Sequence, residues 1–149
     1  METTIPKKVL KLGPAEAVFE QVNKAHASFQ IIHNAVFSDE VREQDNPVVI
    51  RIKASTKEWF ENMSRLLEWA ENNYLMERDS INAEESDQVK KLCNEINNGV
   101  KAIYRDYMSC ATGKSQAFSF ILYLKHDFRA VFSALSRTVS FVSSVESYA

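Results

Sequence analysis

The chain has 149 residues, 45% of them hydrophobic, with 3 glycines, 3 prolines and a formal net charge of −2. This length predicts one domain with a core that needs no metal or disulfide to hold it, and the scarcity of glycine and proline argues against a turn-rich β architecture and against disorder. No strongly basic face dominates the sequence, so nucleic acid is not an expected partner.

Charge is distributed unevenly along the chain. Residues 1–87 carry 10 Lys+Arg and 16 Asp+Glu, a net charge of −6, whereas residues 88–149 carry 8 and 4, a net charge of +4. Either a charged partner or neighbouring helices of opposite charge within one bundle would account for this asymmetry. We favour the second explanation.

Residues 1–13 are predicted to form a flexible arm ahead of a single domain over residues 14–149. The arm has no sustained apolar segment, so it does not have the form of a secretory signal. Its basic residues are Lys7, Lys8 and Lys11. If Cys93 and Cys110 lie on one helix, they are about 25 Å apart and beyond the reach of a disulfide. Unpaired cysteines and the lack of a signal predict an intracellular, cytoplasmic protein.

The first predicted helix covers about residues 14–43. Pro14 suits its first turn, and apolar residues at alternating steps of three and four form a coiled-coil-like seam along it. The seam consists of Ala15, Val18, Val22, Ala25, Phe29, Ile32 and Val36. Phe19, Ile31 and Phe37 add a second apolar edge. Because one bundle need not cover both edges, self-association as a homodimer is a further expectation.

The second predicted helix has Asn46 as its N-cap and Pro47 as its first residue. Residues 48–52 are rich in β-branched side chains and are also compatible with a short strand, but no partner strand is visible, so a helix is favoured. Residues 55–58 have the pattern of a capping box, which allows the helix to restart there after a kink. The apolar stripe of this helix ends near residues 75–76.

The third predicted helix follows Asn82, which has the capping-box spacing to Glu85. Gly99 lies inside this helix, where a glycine costs about 1 kcal/mol relative to alanine. We therefore expect Gly99 to mark either a close approach of another helix or a bend. The helix closes at Thr112 and Gly113.

The fourth predicted helix, over residues 117–148 with Ser115 as its cap, is the most apolar. Its apolar residues cover so much of the circumference that neighbours must bury it on more than one side. It is not a membrane span, since its longest charge-free run, residues 115–124, is about half the length that a bilayer requires. Four long helices with short joints predict an all-α fold, an antiparallel up-down-up-down four-helix bundle.

No catalytic motif is found in the sequence. Gly113-Lys114-Ser115 resembles the end of a phosphate-binding P-loop, but Met108 stands where the motif requires a glycine. None of the three histidines follows a glutamate by three positions, the spacing that di-metal helical bundles use. No catalytic or metal-ligating residue is therefore assigned, no cofactor is expected, and the protein is predicted not to be an enzyme.

A set of basic residues is a candidate site for an anionic ligand or lipid. The set consists of Lys101 and Arg105 on the third helix, Lys125 and Arg129 on the fourth, and Lys114 between the helices. If the two helices fold back on each other, the two pairs stand at similar heights, because the members of each pair are one turn apart. The alternative is that Asp106 and Asp127 neutralise these cations and that the face is merely solvated.

Trp69 and Tyr74 are the candidate anchors for a partner protein. Trp69 lies at the edge of the apolar stripe, and an exposed tryptophan near a tyrosine is typical of binding hot spots. The alternative is that Trp69 covers the rim of its own core. Under the first interpretation Trp69→Ala weakens partner binding and leaves the circular dichroism spectrum unchanged, whereas under the second it damages the fold.

The sequence thus predicts a non-enzymatic interaction, adaptor or regulatory module that binds another protein, or itself, through a helix face. The alternative is an apolar-ligand-binding or membrane-active bundle. In that case the nine phenylalanines line a cavity or reach a lipid surface, with peripheral membrane contact through basic residues. Co-sedimentation with anionic liposomes separates these two hypotheses.

Overall fold

The structure, a computed structural model, describes residues 14–39, 41, 44–76, 81–112 and 124–147. Within these ranges the chain forms four α-helices and no strand. The helices are α1 (Pro14–Val36), α2 (Pro47–Leu75), α3 (Ala83–Thr112) and α4 (Lys125–Ser147). The all-α prediction is therefore confirmed. The predicted arm, residues 1–13, lies outside the described residues.

The first three helices run antiparallel to their neighbours, as contacts between their ends show. The ring of Phe19, near the start of α1, stacks on that of Tyr74, near the end of α2, with 5.1 Å between ring centroids. Arg51 Nε, near the start of α2, lies 2.9 Å from Asp106 Oδ2, near the end of α3. Each contact joins the start of one helix to the end of the next, which requires opposite directions.

α3 and α4 are also antiparallel, because a later residue of α3 meets an earlier residue of α4. The ring of Tyr107 lies 5.4 Å from that of Phe128, while Lys101 Nζ lies 6.0 Å from the centre of the Phe132 ring. α1 packs along α4 as well as along α2, and diagonal helices scarcely meet. The four helices therefore close into a bundle, as predicted.

The core follows the apolar stripes that define the helices. The buried members of the α1 seam are Val18, Val22, Ala25, Phe29, Ile32 and Val36. Among the largest fully buried side chains of the other helices are Met63, Ile96, Tyr107, Phe128 and Leu135. All four helices thus contribute to one core.

α1 ends at Val36, and the predicted continuation to about residue 43 is wrong. The backbone N–H of Val41 donates to the carbonyl of Ser38 at 3.2 Å, which forms a turn. Val41 is 3% exposed. On a continued helix, position 41 would lie about 160° around the axis from Ala25 and face solvent. The turn instead buries this valine, so a tertiary contact decides where the helix stops.

α2 is a single helix from its first turn to its last. The side chain of Asn46 accepts a hydrogen bond from the Val48 N–H at 2.8 Å, so the predicted N-cap is confirmed. Residues 48–52 are helical, as favoured. The restart at residues 55–58 is wrong, since the helix continues through them and Thr56 is fully buried on its inner face, one turn after Ile52.

The start of α3 is confirmed, since Asn82 Oδ1 accepts a hydrogen bond from the Glu85 N–H at 2.7 Å. α3 ends at Thr112, also as predicted. α4 begins at Lys125, and the predicted cap at Ser115 falls in residues 113–123, outside the described part of the chain. Within the described residues, no helix has the length and apolar character needed to cross a membrane.

Gly99 marks a close approach between α2 and α3. A Cβ atom added at this residue would lie 2.3 Å from Cε2 and from Nε1 of the Trp59 indole. That is closer than non-bonded atoms come, so only glycine leaves room for the indole in this position. Of the two interpretations of Gly99, the close approach is confirmed.

Candidate functional site

Trp69, the first candidate anchor, is half-buried against the core. Its indole Nε1 donates a hydrogen bond to the carboxylate of Glu85 at 2.7 Å, and the Asn73 side chain donates to the Trp69 carbonyl at 2.8 Å. The indole therefore faces α3 and closes the rim of the seam between α2 and α3.

Tyr74, the second candidate anchor, faces a different helix. Its ring is stacked on that of Phe19 of α1, with an angle of 5° between the ring planes. Because Trp69 faces α3 and Tyr74 faces α1, the structure does not bring them together on one surface. The exposed apolar side chains nearby are Leu75 and Met76, with 68% and 72% of their surface exposed. The exposure of Leu75 could have been predicted from the sequence, because on a helix this residue lies about 140° around the axis from Ala70, a member of the apolar stripe.

The basic residues that the structure describes are exposed along the neighbouring edges of α3 and α4. Lys101 reaches toward α4, since its Nζ lies 6.0 Å from the Phe132 ring, and Arg105 follows one turn later on α3. Lys125 is two turns before Phe132 and thus lies on the same edge of α4. Arg129 is one turn after Lys125. Lys114 lies outside the described residues.

The register of the two helices brings these pairs to similar heights. The ring of Tyr104 contacts both Phe128, at 4.9 Å, and Phe132, at 6.0 Å. Arg105 directly follows Tyr104, and Arg129 directly follows Phe128, so both arginines stand at the height of this aromatic contact. Four cations from two helices are therefore grouped in one region of the surface.

Asp106 does not neutralise this group. Arg51 of α2 donates two hydrogen bonds to its carboxylate, from Nε to Oδ2 at 2.9 Å and from Nη2 to Oδ1 at 3.0 Å. Asp106 thus points across the seam to α2, on the edge of α3 opposite to Lys101. Asp127 is half-buried in the first turn of α4. Of the two carboxylates expected to neutralise the cations, one is already paired elsewhere.

Charge is segregated along the axis of the bundle. The basic half, formed by residues 26–36, 47–60, 98–112 and 125–135, carries 7 Lys+Arg and 3 Asp+Glu. The acidic half, formed by residues 14–25, 61–75, 83–97 and 136–147, carries 5 Lys+Arg and 10 Asp+Glu. The halves therefore differ in sign, with net charges of +4 and −5.

Individual helices are close to neutral, which corrects the favoured explanation of the uneven charge. α2 has 4 basic and 4 acidic residues, α3 has 4 and 5, and α4 has 3 and 2. Adjacent helices therefore do not differ strongly in charge. A different pattern appears in the folded chain, since the antiparallel arrangement brings the acidic ends of several helices together at one end of the bundle.

The histidines of α1 take part in packing against α2. His26 Nε2 lies 3.3 Å from Ser64 Oγ, and the His33 ring lies 4.6 Å from the ring of Phe60. Burial lowers the pKa of His26 below 6.5 and raises the pKa of Cys93 to about 12. Among the described residues, no group of three His, Cys, Asp or Glu side chains is arranged to hold a metal ion.

Comparisons with protein-family models, with curated proteins and with solved structures found no match. Function is therefore inferred from the residues of this chain.

Proposed function

We propose that the protein is a non-enzymatic interaction module that binds an acidic segment of another protein through the outer surface of α3 and α4. This basic surface consists of Lys101, Arg105, Lys125 and Arg129. The observation that carries the proposal is the grouping of these four exposed cations while Asp106 is bound to Arg51 on the other side of α3. Such a charged surface speeds encounter with an acidic partner and selects its orientation.

An acidic protein is a better fit than a lipid surface. Peripheral membrane binding depends on the apolar area that enters the lipid interface as well as on attraction to anionic lipids, so a basic surface needs exposed apolar side chains nearby. The exposed large apolar residues that the structure describes are Ile31, Phe37, Ile50, Leu75 and Met76. All five lie on α1 or α2 or directly follow one of these helices, whereas the basic surface lies on α3 and α4. Phe29 and Phe128 are fully buried against other rings.

The side chains best suited to covalent catalysis support a non-enzymatic role. A cysteine acts as a nucleophile in its thiolate form, and burial raises the pKa of Cys93 to about 12, so its thiol stays protonated at neutral pH. Cys93 and Cys110 are both buried, and neither forms a disulfide. Cysteines outside disulfides also favour a reducing, intracellular compartment.

A charge-reversal experiment tests the proposal. The variant is K101E/R105E, and the matched control is K24E/K91E, which changes the net charge equally at two exposed lysines away from the basic surface. Proteins retained by the wild type from cell extract are identified, purified and measured by titration. We expect the affinity of an acidic partner to fall about tenfold or more in the variant, to stay the same in the control, and to weaken with salt.

Two further measurements decide whether the ligand is an acidic protein. Replacing by lysine only those acidic residues of the identified partner that contact positions 101 and 105 should restore its binding to K101E/R105E. Liposomes of phosphatidylserine with phosphatidylcholine should leave the wild type in the supernatant. Equal partner binding by variant and control, or co-sedimentation of the wild type that K101E/R105E abolishes, contradicts the proposal.

A further inference from the structure

The acidic half of the bundle has its own exposed charged surface. Glu61, Glu68 and Glu71 are exposed on the second half of α2 and form the acidic surface. Ser64 faces α1, since its hydroxyl lies 3.3 Å from His26 Nε2. Glu68 is one turn and Glu71 two turns beyond Ser64, so the acidic surface lies on the α1 side of α2. The exposed Arg65 on the same helix offsets only one of the three negative charges of the acidic surface.

The acidic and basic surfaces are diagonally opposed on the molecule. α1 and α2 form one side of the bundle and α3 and α4 the other, because α1 contacts α2 and α4 while α3 contacts α2 and α4. The acidic surface thus lies on one side in the acidic half, and the basic surface lies on the opposite side in the basic half. The two surfaces of one molecule cannot meet each other, but they can meet those of a second copy.

We infer that the acidic surface of one copy binds the basic surface of a second copy in a staggered, head-to-tail contact. Moving a copy sideways and roughly 20 Å along the bundle axis, without rotation, brings the two surfaces together. Leu75, one turn after Glu71, and Met76 add exposed apolar area beside the acidic surface. The negative charges of the acidic surface on one copy then face the positive charges of the basic surface on the next copy. Every copy carries both surfaces, so each contact is the same.

This geometry determines the form of the assembly. A two-fold dimer joins a surface to itself, so it cannot pair an acidic surface on one side with a basic surface on the other. A head-to-tail contact leaves one free surface of each sign at the ends of the assembly, and further copies add there. Self-association is therefore open-ended, dependent on concentration and weakened by salt.

This inference goes beyond the proposed function, because it involves the acidic half and requires no other protein. It also links the two, since a second copy and an acidic partner compete for the same basic surface. Partner binding should therefore dissociate the assembly.

Light scattering of the purified full chain tests the inference. At low salt the average mass of the wild type should rise steadily with concentration, and at about 0.5 M salt it should return to that of one chain. E68K/E71K, which keeps only the basic surface, and K101E/R105E, which keeps only the acidic surface, should each stay monomeric. An equal mixture of the two variants should associate again, because each supplies the surface that the other lacks.

A matched control separates the two surfaces from a general effect of charge. E20K/E95K changes the net charge as much as E68K/E71K, at two exposed residues of the acidic half that lie outside the acidic surface, and it should associate like the wild type. Circular dichroism checks the fold of every variant. A wild type that stays monomeric at low salt, a mass that levels off at a dimer, or variants that do not associate when mixed would overturn the inference.

The proposed function has a separate readout. E68K/E71K should keep its affinity for an acidic partner, whereas K101E/R105E should lose it. A monomeric wild type that still binds an acidic partner refutes only the self-association, and an assembling protein that binds none refutes only the proposed function.

Discussion

The two sides of α2 differ in what packs between the helices. The seam with α1 is filled by rings, with Phe60 at its centre. Its ring lies 5.8 Å from that of Phe29, 5.0 Å from that of His26 and 4.6 Å from that of His33. Phe19 and Tyr74 continue this row of rings toward the acidic end of the bundle. Apolar and aromatic contacts therefore dominate the α1–α2 seam.

The seam between α2 and α3 combines a missing side chain with polar pairs. The Trp59 indole lies against Gly99, where no Cβ fits. Farther along the seam, Trp69 donates to Glu85, and near the other end Arg51 donates to Asp106. Packed rings stabilise the α1–α2 seam. The α2–α3 seam depends on the space that Gly99 leaves for the Trp59 indole and on the two polar pairs. Substitutions that remove volume should therefore harm the first seam most, and substitutions that add volume should harm the second.

Phe60→Ala has the largest expected effect. It removes the ring that contacts Phe29, His26 and His33, and a buried phenylalanine replaced by alanine costs about 3 to 5 kcal/mol. Because Phe60 is only partly buried, we expect a loss of about 3 kcal/mol, measured by urea unfolding. Phe37→Ala, at an exposed ring of the same seam, is the control and should cost less. A smaller loss for Phe60→Ala than for Phe37→Ala would contradict the ring-filled description.

Gly99→Ala tests the space in the second seam. The added methyl group would overlap the Trp59 indole, and overpacking typically costs about 1 to 3 kcal/mol. We expect a net loss of about 2 kcal/mol, even though alanine favours a helix by about 1 kcal/mol. In a Trp59→Ala background the indole is absent, so the same substitution should stabilise the protein by about 1 kcal/mol. A loss of equal size in both backgrounds would show that the indole is not the cause.

Trp69→Phe tests the polar part of the second seam at a smaller scale. Phenylalanine keeps most of the ring but lacks the N–H that Glu85 accepts. The loss should be about 1 kcal/mol, since the bond is only partly buried. Tyr74→Phe keeps the ring stacked on Phe19 and should change stability by less than about 0.5 kcal/mol. If Trp69→Phe costs as much in a Glu85→Met background, where the side chain offers no oxygen acceptor, as it does alone, the hydrogen bond does not contribute.

The helices were predictable from the sequence wherever local chemistry decides. The spacing of apolar residues identifies the buried stripes, and the Asn46 and Asn82 side chains cap the backbone within three residues of their own position. The end of α1 could not be predicted, because it depends on the burial of Val41 in a core made by other helices. The capping-box pattern at residues 55–58 wrongly suggested a new helix start, because Thr56 is a buried core residue within α2.

The candidate site was predictable only in part, for the same reason. The spacing of Lys101 and Arg105 indicates one edge of a helix, but the direction of Asp106 depends on Arg51, 55 residues earlier. The partner of the Trp69 indole, Glu85, lies on the next helix. The axial segregation of charge is also invisible along the chain, because it arises only when antiparallel helices are folded together.

The smallest expected effect is a pH dependence that belongs to the first seam alone. Burial lowers the pKa of His26 below its ordinary value of 6.5, so below that pH the unfolded chain binds more protons than the folded one. Stability is therefore lost as the pH falls through 6.5 toward the folded pKa. Between about pH 7.5 and about pH 5.5, the urea midpoint of His26→Gln should fall less than that of the wild type. Gly99→Ala, which alters the other seam, should keep the wild-type pH dependence. If His26→Gln has the same pH dependence as the wild type, the loss of stability in acid comes from protonation of groups other than His26 in the α1–α2 seam.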